Sequence, residues 1–359
     1  MSESSSRPRA LVVGASGISG QAVCRELVRK GWEVFGLNRS PVHLPEVTTI
    51  QADLLKPETL TEIGDLKPQA VFVTTWMRME SEAENIRVNG LAMSNLMSAV
   101  SPGGSVTHIA LMTGLKHYLG PFENYASGGS ADTPFHEDEP RMDIPNFYYA
   151  QEDQLFAASE KFGFTWSTHR AHTIIGFATG NAMNMALTLG AYAELCKHTG
   201  APFIFPGSET QWNGVTDVTD VDLLAEHMVW AASTPEAANT AFNITNGDVF
   251  RWRWMWQRIA EYFDVPWEGF SSVDRPLEPR MSGAQERWSE LATTYNLVEP
   301  NLGRVASWWH TDSDLGRPIE CFADMRRSRE RGFLNCRVTL ESFLSTFDLY
   351  RKANLLPQR

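Results

Sequence analysis

Two adjacent tyrosines stand in "NFYYAQED", residues 146–153. A tyrosine hydroxyl can donate a hydrogen bond or a proton to a carbonyl oxygen. A nearby ammonium lowers the tyrosine pKa and steadies the negative charge that develops. A lysine four residues downstream on a helix would share the tyrosine's face. Here that position holds Glu152 after Tyr148 and Asp153 after Tyr149. Either both tyrosines pack in a core, or the ammonium comes from elsewhere. The nearest candidate is Lys116 in "TGLKHYLGPFE" (113–123), beside Thr113, Gly114, His117 and Tyr118.

A second chemical signal is "LVVGASGISG" (11–20), which carries Gly14, Gly17 and Gly20 after an apolar run and at the start of a helical pattern. The first glycine permits a tight turn. The second lets backbone approach a pyrophosphate at the positive helix end, and the third lets helix and strand pack closely. This context predicts a dinucleotide site that includes Ser16 and Ile18. The next strand ends in Asn38, Arg39 and Ser40, where an NAD site places a carboxylate for the ribose 2′-hydroxyl. With no carboxylate there, the forked Arg39 guanidinium, assisted by Ser40, predicts a 2′-phosphate and hence NADPH/NADP+. Asp53 and Leu54 are expected at the adenine ring, and Thr74 and Thr75 on the cofactor cleft.

These residues need a scaffold. "ALVVG" (10–14), "WEVFGL" (32–37), "VTTIQADL" (47–54), "QAVFVTT" (69–75) and "SVTHIALM" (105–112) read as strands. "SGQAVCRELVRKG" (19–31) reads as an amphipathic helix with Val23, Leu27 and Val28 on one stripe and Gly31 as its stop. Further helices are expected near 57–65 and over 81–100, and another strand in "TWSTHRAHTIIGF" (165–177). Alternation of this kind implies an α/β fold, a Rossmann-type doubly wound parallel sheet. Beyond residue 177 the pattern is mostly helical, with helices expected over 185–200, 220–233 and 250–263. The expected division is a tail at 1–9, an NADP-binding domain at 10–177, and a smaller substrate lobe at 178–359 that packs directly on it and shares part of the sheet. Phe250, Trp252 and Trp256 form an aromatic stripe at helical spacing, which reads as core.

Composition narrows the function. The chain has 359 residues, 43% hydrophobic, with a formal net charge of -12. That sign disfavours nucleic acid and anionic membrane as partners. No run is long and apolar enough to span a membrane. Cys24, Cys196, Cys321 and Cys336 are far apart and read as reduced thiols of a cytoplasmic protein. His136, His172, His198 and His227 lack metal-ligand spacing, so no metal is expected. No GxSxG elbow supports acyl transfer.

The stretches "GASGISG", "GLKHYLGPFE", "PNFYYAQED", "AFNITNGDVFRW" and "RGFLNCR" closely resemble the progesterone 5β-reductase / iridoid synthase family, atypical extended short-chain dehydrogenases/reductases, and its bacterial-type relatives. The likeness runs from about residue 10 to the end. It implies that Lys116 and Tyr148 are the catalytic pair, with Tyr149 a packing neighbour. It implies NADPH-dependent reduction of the C=C bond of a small apolar enone, and a homodimer. The loop "HRAHTIIGF" departs from the family form, with Ala171 where a proline commonly stands. Thr173 and Ile175 of that loop are expected to meet the nicotinamide amide. The pocket is expected to be mostly apolar, with Trp76, Phe122, Met185 and the "WWH" at 308–310, Trp309 foremost, as candidate walls. Two other readings use the same fold: a carbonyl reductase or sugar-nucleotide modifying enzyme, and a non-enzymatic NADP-sensing regulator.

Overall fold

Alternating burial along the first strand sets the layers. In β1 (Arg9–Val13) Ala10 and Val12 join one buried cluster, while Leu11 and Val13 join another. Successive strand residues face opposite sides, so a strand covered on both faces is a continuous apolar run. The computed structural model describes residues 7–121 and 132–358. Most of the expected tail, and candidate Phe122, lie outside the described residues.

Six further strands complete the sheet: β2 (Glu33–Asn38), β3 (Val47–Gln51), β4 (Ala70–Val73), β5 (His108–Gly114), β6 (Thr165–Ala171) and β7 (Thr240–Ile244). The order is β7-β6-β5-β4-β1-β2-β3, with every pairing parallel. The order reverses between β1 and β4. A crevice for ligands therefore lies there, at the carboxyl ends of the strands.

The helices follow from the same apolar pattern. On one face, α1 (Ile18–Arg29) buries Ala22, Val23 and Leu27, and Gly31 ends it with φ +81°. On the other face lie α2 (Glu82–Val100) and α4 (Phe147–Phe162), with Met93, Leu96 and Leu155 in the core. A single turn, α3 (Lys116–Leu119), follows β5. The later helices are α5 (Met185–Thr199), α6 (Val221–Ala232), α7 (Trp252–Phe263), α8 (Trp308–Leu315) and α9 (Thr339–Lys352). Asp220 caps α6 by accepting from the backbone N–H groups of Asp222 and Leu223. The chain beyond residue 177 contributes to two layers. Its α6 lies on α1, tied by Arg25 to Asp222 at 2.7 Å, and its β7 pairs with β6. The remaining helices build a separate aromatic core around Tyr192, Trp256, Trp288, Phe343 and Phe347. Phe250, Trp252 and Trp256 are buried in that core, and Trp256 stacks on Phe203 with centroids 4.0 Å apart.

Three elements differ from the sequence-based expectation. Residues 57–65 form no α-helix; they hold parts of two short 3-10 turns, Pro57–Thr59 and Gly64–Leu66. A segment with proline at one end and glycine at the other cannot repay helix nucleation over so few residues. The third strand stops at Gln51, because the Asp53 carboxylate turns the chain by accepting from the Leu55 N–H at 3.0 Å. Strand β7 is unanticipated. Its sequence, "TAFNI", is too short to announce itself, and pairing with β6 fixes it.

Candidate active site

The glycine loop is shaped by close approach. Gly14 has φ +84°, and a Cβ there would fall 2.6 Å from the Thr75 Cβ. A Cβ on Gly20 would fall 2.2 Å from the Gly14 carbonyl oxygen, so helix and loop pack without room for a methyl group. Gly17 precedes α1 and caps it with no side chain, leaving first-turn N–H groups available to an anion. The Asn38 Oδ1 accepts from the Ser16 N–H at 2.7 Å, while its buried Nδ2 has no partner among the described residues. An open donor beside a glycine cradle fits a dinucleotide's ribose–phosphate portion.

Two cavities meet at this loop. One, of about 170 Å³, is lined by Gly14, Ser16, Gly17, Asn38, Arg39, Asp53, Leu54, Thr74 and Thr75. The other, of about 280 Å³, is lined by Gly17, Ile18, Thr74, Thr75, Trp76, Thr113, Lys116, Tyr148 and Thr173, among others. Gly17, Thr74 and Thr75 belong to both, so one elongated ligand can occupy the two. Ser40 is exposed and lines neither, and Ile175 is fully buried in the aromatic core.

Lys116 and Tyr148 come together from separate elements. β5 delivers Lys116 through Gly114 and the single turn α3, and Tyr148 is the second residue of α4. Both side chains are largely buried, at 4% and 8% exposure, on the wall of the larger cavity. The Lys116 Nζ lies 5.5 Å from the Phe147 ring centroid. The Tyr148 hydroxyl makes no hydrogen bond among the described residues. A Cβ on Gly114 would lie 3.5 Å from it and 2.9 Å from the Ala171 carbonyl oxygen, so that glycine keeps the space beside the hydroxyl clear. Burial, helped by the Glu82 carboxylate, pushes the Tyr148 pKa well above its ordinary value. The group is therefore a neutral phenol, a hydrogen-bond donor rather than a base.

The helix positions that lack a lysine have another use. Arg141 donates to Glu152 at 2.8 and 3.1 Å and to Asp153 at 2.6 Å. Tyr149 is likewise occupied: its hydroxyl donates to the His117 carbonyl and accepts from the Met142 N–H, both at 3.0 Å. Tyr118 donates to the Asn243 Oδ1 on β7 at 2.6 Å and stacks on Phe135 with centroids 4.8 Å apart.

The remaining wall is more polar than expected. Trp76 lines the larger cavity and stacks on Phe147 at 4.9 Å. Trp309 lies instead under the Arg78 guanidinium, 3.8 Å from its ring centroid. The cavity is reached by His310, Asp314 and Arg317, and Thr173 donates to the Asp314 carboxylate at 2.9 Å. Asp314 also pairs with Arg317. The "WWH" expectation included His310, but the sequence reading passed over Asp314 and Arg317. The i, i+4 spacing of His310 and Asp314 in "HTDSDLGR", one turn apart on a helix face, was the available signal, while Arg317 lies past the helix end at Leu315. Met185 is 1% exposed, in the aromatic core and off the cavity wall. Among the described residues no group of three or more His, Cys, Asp or Glu could hold a metal, and no helix is long and apolar enough to cross a membrane.

The parallel sheet, its switch point and the glycine cradle define a Rossmann-type α/β protein. Solved structures agree on the fold. An epimerase from Methanothermobacter thermautotrophicus is similar with a TM-score of 0.70 and 14% identity, covering 97% of this chain and 93% of that one. The UDP-glucose 4-epimerase of Thermus thermophilus, in complex with NAD, has a TM-score of 0.67 and 17% identity over 96% of this chain and 99% of that one. Sequence comparison is more specific. The PRISE-like Rossmann-fold domain model matches residues 60–308. The chain is 39% identical to 3-oxo-Delta(4,5)-steroid 5-beta-reductase from Arabidopsis thaliana, covering 97% of this chain and 93% of the relative. It is 38% identical to an (S)-8-oxocitronellyl enol synthase from Camptotheca acuminata, with the same coverage. This chain belongs to the PRISE family.

Proposed function

We propose that this protein is an NADPH-dependent oxidoreductase that reduces the C=C bond of α,β-unsaturated ketones and aldehydes. The observation that carries the reading is the pairing of Lys116 and Tyr148 on a cavity that runs into the glycine cradle, in a chain so similar to a steroid 5-beta-reductase and to 8-oxocitronellyl enol synthases.

Bound NADPH supplies a hydride to the β-carbon. The protein's part is to receive the charge that the hydride displaces onto the carbonyl oxygen. The Tyr148 phenol donates a hydrogen bond to that oxygen, in a buried setting where the bond is stronger than in water. Lys116 supports it with positive charge. The α-carbon takes its proton from water, which completes a saturated ketone or aldehyde. Arg39, on the margin of the smaller cavity with no carboxylate beside it at the strand end, supports the phosphorylated cofactor.

NADPH oxidation against small cyclic enones, enals and steroid enones, with product identification, tests the reading. A saturated carbonyl product supports it. An allylic alcohol points to a carbonyl reductase, and tight NADPH binding without turnover of any enone or carbonyl points to a cofactor-sensing regulator. The buried Cys24, Cys196 and Cys321 support a reducing, cytoplasmic setting. The homodimer that the family resemblance implies is read by light scattering.

A further inference from the structure

We propose that Asn146 is a positioning residue that fixes Lys116 relative to Tyr148. The inference rests on the proposed role of that pair. Asn146 is the N-cap of α4 and only 3% exposed. Its Oδ1 accepts from the Tyr148 N–H at 3.0 Å, and its Nδ2 donates to the Lys116 carbonyl oxygen at 2.6 Å. The partners dictate the amide's orientation, since a backbone N–H must meet the oxygen and a carbonyl the nitrogen.

Capping a helix needs only an acceptor, and serine or aspartate serves as well as asparagine. The Nδ2 donor is surplus to capping, and here it ties together segments 30 residues apart in sequence. Tyr149 and Asn243 hold the next two residues of the turn, His117 and Tyr118, and the Asn146 tie is made at Lys116 itself. Turn α3 has no side-chain cap, and the Lys116 carbonyl also accepts from the Gly120 N–H at 3.0 Å. On the other side of the tie, the Glu82 Oε1 accepts from the Phe147 N–H at 2.7 Å, so the start of α4 is anchored to α2 as well. The Asn85 Nδ2 holds Glu82 at 2.9 Å, and the Asn85 Oδ1 accepts from the Met79 N–H at 2.8 Å. The strap that carries Trp76, the tyrosine helix and the lysine turn thus form one bonded unit.

The two bonds of Asn146 separate by mutation. Asn146→Ser and Asn146→Asp keep the cap acceptor and remove the donor. Asn146→Asp also sets a carboxylate against the Lys116 carbonyl, and Asn146→Ala removes both bonds. With a competent enone and NADPH, kcat should fall about 10- to 100-fold in Asn146→Ser and further in Asn146→Asp. The KM for NADPH should stay near wild type in both; Asn146→Ser should keep most of its Tm, whereas Asn146→Asp should lose Tm through its buried carboxylate and Asn146→Ala through the missing cap. Wild-type kcat in Asn146→Ser would overturn the proposal, as would a loss of kcat no greater than the loss of folded protein. Tyr148→Phe and Lys116→Met are measured alongside. If both keep full turnover, the catalytic pair is wrong and the inference falls with it. If both lose turnover and Asn146→Ser does not, the inference alone falls.

Discussion

Acidification should destabilise this protein through a chain of buried imidazoles. Thr165 donates its hydroxyl proton to the Thr107 carbonyl, so its oxygen accepts from the His108 Nδ1–H at 2.9 Å. The bare His108 Nε2 then accepts from Ser167 at 2.9 Å, and the Ser167 oxygen accepts from the His169 Nε2–H at 2.8 Å. The His169 Nδ1 accepts from the His227 Nδ1–H at 2.8 Å, and the His227 Nε2 accepts from Ser328 at 2.9 Å. One proton per ring satisfies every bond, so a second proton on any ring has no acceptor. Burial accordingly pushes His108 down to about 4, His227 to about 3, and His169 well below its usual value.

A ring whose folded pKa lies below its unfolded value of 6.5 stabilises the fold above pH 6.5. It loses that contribution as pH falls through the folded pKa. Each ring loses about 1.4 kcal/mol per pH unit in that window. Between pH 6.5 and 4.5 His108 and His227 together lose about 5 kcal/mol, and His169 loses stability in the same direction. His117, lowered to about 3 by burial and by Arg170, adds to the loss. Glu137 works against it: burial raises it to about 6, so it regains about 2 kcal/mol between pH 6 and its unfolded value. Buried Glu152 and Glu194 shift in the same direction as Glu137. The net loss is comparable with the whole stability of an ordinary domain, about 5–15 kcal/mol. Urea unfolding at pH 7.0, 6.0 and 5.0 measures it, and the midpoint should drop steeply below pH 6.5. His108→Asn should weaken that pH dependence by about one proton. A midpoint that is flat or rising from pH 6.5 to 5 would refute the argument.

Other outcomes are expected. Tyr148→Phe should cost about 3 kcal/mol of transition-state stabilisation, read as a fall in kcat/KM for enones. Tyr149→Phe should leave turnover near wild type and lower stability by about 1 kcal/mol, because its hydroxyl bonds only backbone groups. Arg39→Ala should weaken NADPH far more than NADH in fluorescence titrations; equal losses would rule out a 2′-phosphate contact. Gly20→Ala should destabilise the fold by at least 1–3 kcal/mol in thermal unfolding, because its Cβ would meet the Gly14 carbonyl.

The sheet was legible wherever an element carries its own periodicity. β1, α1 and Gly14 need only local sequence to be recognised, and the structure puts them where that sequence implies. Features defined by distant partners were not legible. The carboxylates of Glu152 and Asp153 only acquire meaning once Arg141 reaches them across a turn. The second bond of Asn146 is invisible without Lys116 beside it. Met185, expected on the wall of an apolar pocket, sits on α5, which is almost wholly buried and takes it into the core. At Trp309, one residue of register decided the matter: the indole meets Arg78, while the next residue, His310, faces the cavity.

Strand β7 also imposes a timetable. Translation finishes β6 at Ala171, yet the strand that covers its outer edge ends only at Ile244. Through that whole interval a nascent chain carries a bare edge of Ser167–Ala171, the template on which strands of two chains join. The α1 face also waits for α6. A ribosome that stalls between those points leaves a half-built sheet with its edge open. Chaperones that shield extended segments have their longest opportunity there.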